Sequence, residues 1–304
     1  MSFYHKYRPE TLEALKGNLD LVDSLNNYLC EPEKMPHSYL LHGPTGCGKT
    51  TVGRIIKNFL NITDADFSEI NTSEMRGIDT IRELIKNCQF KPLQSSHRIY
   101  LIDECHKLTN DAQNAFLKIL EDTPSHVIFI LCTTDPDKLI KAVRGRCMEY
   151  QLKLLLDNEM KRLLKNIIRK EKQELEDELL NKIVAVAEGH VRNGIQLLEK
   201  MLTIPADKRA DAVIKVEEET VLSIELCRVL LSSNNWSKVK DILNGLKGQE
   251  PETIRRQVMG YCQAVLLKSD NPKAGLILEE FKEPFYNTGF PGLVYACYAV
   301  VKNS

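Results

Sequence analysis

Several features that would each announce a function are missing from this sequence. There is no charge surplus: 41 Lys and Arg face 42 Asp and Glu, a formal net charge of −1. Overall electrostatics therefore points to no nucleic-acid or membrane-surface partner, and any DNA contact must come from a local patch. None of the nine cysteines forms a CxxC pair, and the closest two, Cys132 and Cys147, stand fifteen positions apart. That spacing argues against a zinc ribbon or a redox dithiol. Scattered thiols in odd number fit a reducing compartment. No apolar run approaches the roughly 20 residues of a membrane-crossing helix. The polar opening residues 1–10 lack the apolar stretch of a secretory signal. A soluble, cytoplasmic protein with no membrane partner is expected. No internal repeat or low-complexity tract occurs.

The 304 residues suffice for two or three domains. Over residues 37–152 short apolar runs alternate with helix-patterned segments. Strands are predicted at 38–42, 66–71, 98–103, 127–132 and 148–152. Between them, Val52, Ile55, Ile56 and Phe59 share one helical face, as do Ile81, Leu84, Ile85 and Cys88, and then Ala112, Ala115, Phe116, Ile119 and Leu120. Apolar strands separated by helices imply a parallel sheet covered on both sides. Past Leu152 strand signals stop and charge-rich amphipathic helices continue to the end. The predicted organisation is an α/β nucleotide-binding domain over 1–152, a helical lid over 153–216 and an all-α domain over 217–304. The last has more apolar helix face than a small bundle needs, notably over 221–231 and 293–301, so it is expected to carry an oligomer contact.

Gly43-Pro44-Thr45-Gly46-Cys47-Gly48-Lys49-Thr50 fills the pattern G-x-x-x-x-G-K-[ST] between a predicted strand and a predicted helix. Such a turn lets backbone N–H groups converge on phosphate oxygens at a helix N-terminus. Lys49 is placed to reach the β- and γ-phosphates, and the Thr50 hydroxyl to ligate Mg²⁺. A second motif closes the strand that ends at Asp103. An acid at the tip of a buried strand is costly unless it serves a cation, which suits Asp103 to Mg²⁺. Glu104, one residue on, suits polarisation of the attacking water. His106 reads as a surface or hinge residue rather than a catalytic one. Thr133-Thr134 falls at the carboxyl end of a predicted strand, where open α/β sheets bind ligands. These residues alone leave open a phosphate-sensing hydroxyl or an ordinary turn. Arg144-Gly145-Arg146 likewise leaves open a pair of solvated arginines or one that enters a neighbouring subunit's site.

Taken together these motifs resemble the ATPase subunits of sliding-clamp loaders within the AAA+ ATPases, namely the bacterial DNA polymerase III gamma/tau subunit and the small subunits of replication factor C. Lys6-Tyr7-Arg8-Pro9 is similar to the family's adenine-contact segment. Residues 71–79 resemble the segment leading into a DNA-facing helix, and residues 112–121 the helix after the Walker B strand. Thr133-Thr134-Asp135-Pro136 is similar to the bacterial sensor 1, and Gly189-His190-Val191-Arg192-Asn193 to sensor 2. The resemblance covers residues 3 to about 203.

It implies an ATP and Mg²⁺ site made from Tyr7, Arg8, Pro9, residues Gly43 to Thr51 and Arg192, with Thr50 and Asp103 on the metal. Lys49, Glu104 and either Thr133 or Thr134 would act in turnover. Arg146 would be a finger acting on the next subunit's nucleotide, Gln113 would couple DNA contact to the site, and Arg76 and Lys107 would touch the DNA backbone. The chain departs from the pattern in Gly145 and His190, each standing where the family has serine. It has none of the four zinc-binding cysteines of bacterial gamma subunits, so no zinc is expected, and no long tail follows. A compact loader subunit is the expectation, a phage-encoded one being one reading and the cytoplasm of a bacterial host its place. The implied function is an ATPase motor subunit of a pentameric clamp loader, with the sliding clamp, other loader subunits and primer–template DNA as partners. The alternatives are a non-hydrolysing structural subunit and another AAA+ DNA motor.

Overall fold

The structure, a computed structural model, describes residues 2–31, 34–72, 77–205, 209, 222–286 and 288–303, the side chain of Leu29 excepted. Two compact units divide it, Met1–Thr203 and Ile204–Ser304. Sheet and lid thus share the first unit. The expected boundary at 216 lies outside the described residues, as do Arg76 and Val221.

In the first unit, α1 (Phe3–Lys6) and α2 (Leu19–Cys30) precede β1 (Ser38–His42) and α3 (Lys49–Phe59). Then follow β2 (Phe67–Asn71), α4 (Ile78–Cys88), β3 (Arg98–Asp103), α5 (Asn110–Glu121) and β4 (Val127–Thr133). The short α6 (Lys141–Arg144) leads to β5 (Met148–Gln151). The strands form one parallel sheet in the order β2-β3-β4-β1-β5. Every residue of β4 is buried, and its side chains alternate between two cores. Ile128, Ile130 and Cys132 join Val52, Ile55 and Ile56 of α3 on one face. Val127, Phe129 and Leu131 join Ile81, Leu84, Phe116 and Ile119 of α4 and α5 on the other. This is the period-two geometry of a strand packed on both sides. The edge strands β2 and β5 are only partly buried, and Phe59, expected on the buried face of α3, is 44% exposed. It closes the helix's last turn, beyond the reach of the sheet.

Register fixes the functional edge. His42 pairs with Thr133 and Asn71 with Asp103, so the carboxyl tips of β1, β3 and β4 end together. The chain leaves β1 for β2 by crossing over β4 and β3, making β1 a switch point of the kind where such sheets bind ligands.

The lid comprises α7 (Asp157–Lys170), α8 (Asp177–Ala187) and α9 (Val191–Thr203). Glu159 accepts the Leu156 N–H at 2.9 Å, capping the start of α7. The α8–α9 turn passes through two left-handed residues, Glu188 (φ 48°) and Gly189 (φ 78°). A Cβ on Gly189 would lie 2.5 Å from the Leu155 carbonyl oxygen, so only glycine fits there.

The second unit is wholly helical where described: α10 (222–232), α11 (Trp236–Gly245), α12 (Pro251–Leu266), α13 (Pro272–Glu280) and α14 (Gly289–Asn303). Leu226, Leu230, Val258, Phe281 and Val300 are in its core. The buried Glu252 pairs with Arg255 at 2.7 Å and accepts the Phe285 N–H at 3.0 Å.

Candidate functional site

Gly43, Gly46 and Gly48 carry positive φ values of 149°, 76° and 107°, bending residues 43–48 into a loop that ends on the N-terminus of α3. A Cβ on Gly43 would sit 2.2 Å from the Leu152 carbonyl oxygen. The loop is also tied to the sheet by Gly43 N–H donating to the Thr133 carbonyl at 3.2 Å. Lys49 is 6% exposed, and its ammonium donates to the carbonyls of Gly43 and Pro44, both at 2.9 Å. A buried ammonium held only by neutral carbonyls is matched to an anion in that loop. Pro44 and Thr45 are exposed. Cys47 is buried, and burial raises its thiol pKa against the opposing charge of Lys49, leaving it unreactive.

Thr50 Oγ1 donates to Asp103 Oδ2 at 2.9 Å, which places a hydroxyl and a carboxylate side by side as a hard-cation pair. Among the described residues no cluster of three or more His, Cys, Asp or Glu side chains is placed to hold a metal ion. A phosphate-bound Mg²⁺ needs only one or two protein ligands, so the Thr50–Asp103 pair fits it. Glu104 adopts a left-handed conformation (φ 54°), uncommon for a side chain of this kind. Buried Thr72 supports it, sharing its one hydroxyl proton between the carbonyls of Glu104 (2.6 Å) and Asp103 (3.0 Å), while Glu104 N–H donates to Asp103 Oδ1 at 2.9 Å.

Thr133 is fully buried. Its Oγ1 accepts the Asp135 N–H at 3.0 Å and lies 3.0 Å from His106 Nδ1. Thr134 is half-buried with its side chain of opposite parity. Of the surface or hinge position expected from the sequence, the surface half does not hold for His106. Its side chain is 10% exposed, and Nε2 lies 3.5 Å from Glu104 Oε2. Burial lowers its pKa, against the pull of Glu104, so the ring is neutral near pH 7. Gln113, 2% exposed, donates to the carbonyls of Leu108 (3.1 Å) and Lys138 (3.3 Å) and accepts the Ile140 N–H (2.9 Å). It thereby ties the loop after β3 to the loop after β4.

The lid meets this edge from above. His190 Nδ1 is 2.8 Å from the Thr45 carbonyl, which can only accept, so the ring N–H donates. A Cβ on Gly46 would lie 3.5 Å from Arg192 Cβ. Arg192 donates to the Tyr4 hydroxyl at 3.0 Å and stacks over its ring at 4.8 Å, with Arg8 over the same ring at 4.9 Å. Burial alone would raise the Tyr4 pKa, but Arg192 and Arg8 outweigh it and the net shift is downward. Among the described residues the Nε atoms of Arg8 and Arg192 are buried without a hydrogen-bond partner, leaving each guanidinium a donor suited to an anion. Beside Gly46 to Gly48, a cavity lined by Tyr7, Pro9, Thr51, Leu155, Val191 and Ile195 offers an apolar slot. Tyr7 O–H donates to Glu171 of the lid at 2.5 Å.

Two of the expected residues, Arg146 and Lys107, stand apart. Arg146 is exposed, donates to the Ala142 carbonyl at 2.9 Å and pairs with Glu121 of its own chain. Lys107 is exposed on the turn after β3. Arg76 lies outside the described residues. Sequence reading missed Tyr4, Thr72 and the role of His190. The position of Thr72 directly after a predicted strand was the only local signal for any of them.

A family model described as DNA polymerase III, delta subunit, matches residues 54–155. The DNA polymerase III subunit gamma of Buchnera aphidicola subsp. Schizaphis graminum is 30% identical, over 88% of this chain and 80% of its own length. The DNA polymerase III subunit tau of Bacillus subtilis is 28% identical over 92% of this chain, and the gamma/tau subunit of Mycobacterium tuberculosis 30% identical over 90%. The chain spans only 54% and 52% of those two relatives. Among solved structures, the Thermotoga maritima RuvB Holliday junction branch migration motor matches 74% of this chain and 80% of its own, with a TM-score of 0.61 and 20% identity. At that identity the likeness speaks for the fold alone. No helix among the described residues is long and apolar enough to cross a membrane.

Proposed function

The chain belongs to the DNA polymerase III gamma/tau subunit family, and on that premise we propose that it is an ATP-hydrolysing motor subunit of a pentameric sliding-clamp loader. The observation that carries this reading is the buried Lys49 beside the 2.9 Å Thr50–Asp103 pair, with Glu104 one residue beyond. A subunit that binds nucleotide only as a scaffold has no use for the water-polarising Glu104 in this set.

On this reading the residues take the following roles. The N–H groups of residues 43 to 50 and the Lys49 ammonium bind the triphosphate. The slot beside Tyr7, Arg8, Pro9 and Thr51 takes the base. Thr50 and Asp103 hold Mg²⁺, which supplies charge neutralisation on the phosphates. Glu104 polarises the attacking water. Thr133, rather than Thr134, is the sensing hydroxyl, supported by its burial against His106. Arg192 leaves Tyr4 for the γ-phosphate, and Arg146 acts on the neighbouring subunit's nucleotide. Gln113 transmits displacement between the two loops it bonds, and Arg76 and Lys107 take the DNA backbone. ATP binding then favours a state that holds an open clamp, and hydrolysis releases the clamp on primer–template DNA, a switch by differential affinity of two states.

ATPase activity of the chain with its cognate subunits tests this directly. Turnover should rise sharply when clamp and primed DNA are both present. Nucleotide binding without turnover in the full complex would mark a structural subunit instead. ATP-driven unwinding without clamp binding would mark a different DNA motor.

A further inference from the structure

His106 stands between two groups that the proposed reaction uses, Thr133 at the tip of β4 and Glu104 beyond the tip of β3. A neutral imidazole carries one ring proton, so its two partners must differ in what they offer. The Glu104 carboxylate can only accept, and a lone pair on Nε2 facing it would be repelled. Thr133 Oγ1 already accepts the Asp135 N–H at 3.0 Å, and its own O–H can donate to Nδ1 across 3.0 Å. One tautomer suits both neighbours: Thr133 O–H donates to Nδ1, and Nε2–H points at Glu104 Oε2, 3.5 Å away. The Glu104 backbone is separately pinned by Thr72 and Asp103. Its side chain, 30% exposed, has the His106 ring 3.5 Å from its carboxylate.

We propose that His106 is a positioning residue that joins Thr133 to Glu104, by a hydrogen bond to the hydroxyl and a polar contact to the carboxylate, and keeps the water-polarising carboxylate in register with the hydroxyl on β4. The inference rests on the ATPase reading above. It assigns work to a side chain that the roles proposed above leave unused. His106 follows the fully buried Cys105 on the turn Cys105–Lys107, and its own side chain is 10% exposed.

The test uses the full chain assembled with its partner subunits. His106→Ala should lower kcat on the order of 10- to 100-fold, the scale of a misplaced catalytic group, while KM for ATP and nucleotide affinity stay within about twofold. His106→Gln, whose amide can accept from Thr133 and donate to Glu104, should recover most of the loss. Thr133→Val should cost a similar factor, and the double variant His106→Ala/Thr133→Val little more than the worse single one, as for residues acting as one unit. Unchanged kcat in His106→Ala, additive losses, or equal losses in the Ala and Gln variants would each overturn the proposal. A second measurement needs no turnover. Nitrogen-15 NMR of the His106 ring should show the Nε2–H tautomer, with a resonance that moves in Glu104→Gln; an Nδ1–H tautomer refutes the linkage. If the wild type hydrolyses no more ATP than Lys49→Ala, the ATPase reading falls, and the NMR result still decides the linkage.

Discussion

Asp66→Asn probes how one buried carboxylate holds the loop that leads into β3. Asp66 closes the short turn Asp64–Asp66 and is fully buried. Its oxygens accept the backbone N–H groups of Leu93 (2.6 Å), Gln94 (2.8 Å) and Ser95 (2.8 Å), with Arg98 at 3.5 Å. Burial alone would raise its pKa, but the three backbone donors outweigh it and bring the carboxyl from 3.8 down to about 2. At 1.36 kcal/mol per unit, that is about 2.5 kcal/mol of stability at neutral pH. Because the folded pKa is the lower one, the unfolded chain binds the proton first as pH falls. The contribution is complete above about pH 5, has lost roughly 1 kcal/mol by pH 3, and is gone once pH passes below the folded pKa. An asparagine offers one acceptor oxygen to three donors, so it should cost about 2–3 kcal/mol at pH 7 and roughly 1 kcal/mol less at pH 3. Hydrogen exchange of peptides spanning residues 60–100 reads this out. A variant within about 0.5 kcal/mol of wild type at pH 7, or a deficit equal at pH 7 and pH 3, would refute this account, since it would remove the charge from the explanation.

Lys49→Ala should abolish nucleotide binding in equilibrium titration while the unfolding midpoint stays near wild type, because the ammonium bonds only to two carbonyls. Arg146→Ala should spare binding yet slow the adjacent subunit's turnover on the order of 10³-fold or more; in mixed assemblies, a defect confined to the variant's own site would sink the assignment. Gly189→Ala forces a Cβ to within 2.5 Å of the Leu155 carbonyl at φ 78°, a strain of about 1–3 kcal/mol. It should shift the turn that aims His190 and Arg192, weakening nucleotide affinity while circular dichroism stays native.

Local chemistry was legible without coordinates. The phosphate loop is eight consecutive residues, and its glycines, its lysine and the helix that follows lie within one turn of one another. The strands were legible because alternation along β4 feeds two cores at once, and Asp103 because an acid at the end of an apolar strand has few other uses. The interior of the site was not legible. Whether Thr133 or Thr134 turns inward depends on the register that sets Thr133 beside His42, a pairing across 91 positions of chain. His106 looked like a surface residue because nothing within a few positions of it reveals that β4 packs alongside. The contacts of His190 with Thr45 and of Arg192 with Tyr4 join residues 145 and 188 positions apart. Sequence by itself determined which groups are present and which local turns they make, since backbone preference and side-chain periodicity act over a few residues. Only the tertiary structure decided which groups meet. Burial, tautomer and charge partner are properties of a neighbourhood assembled by sheet order and lid packing.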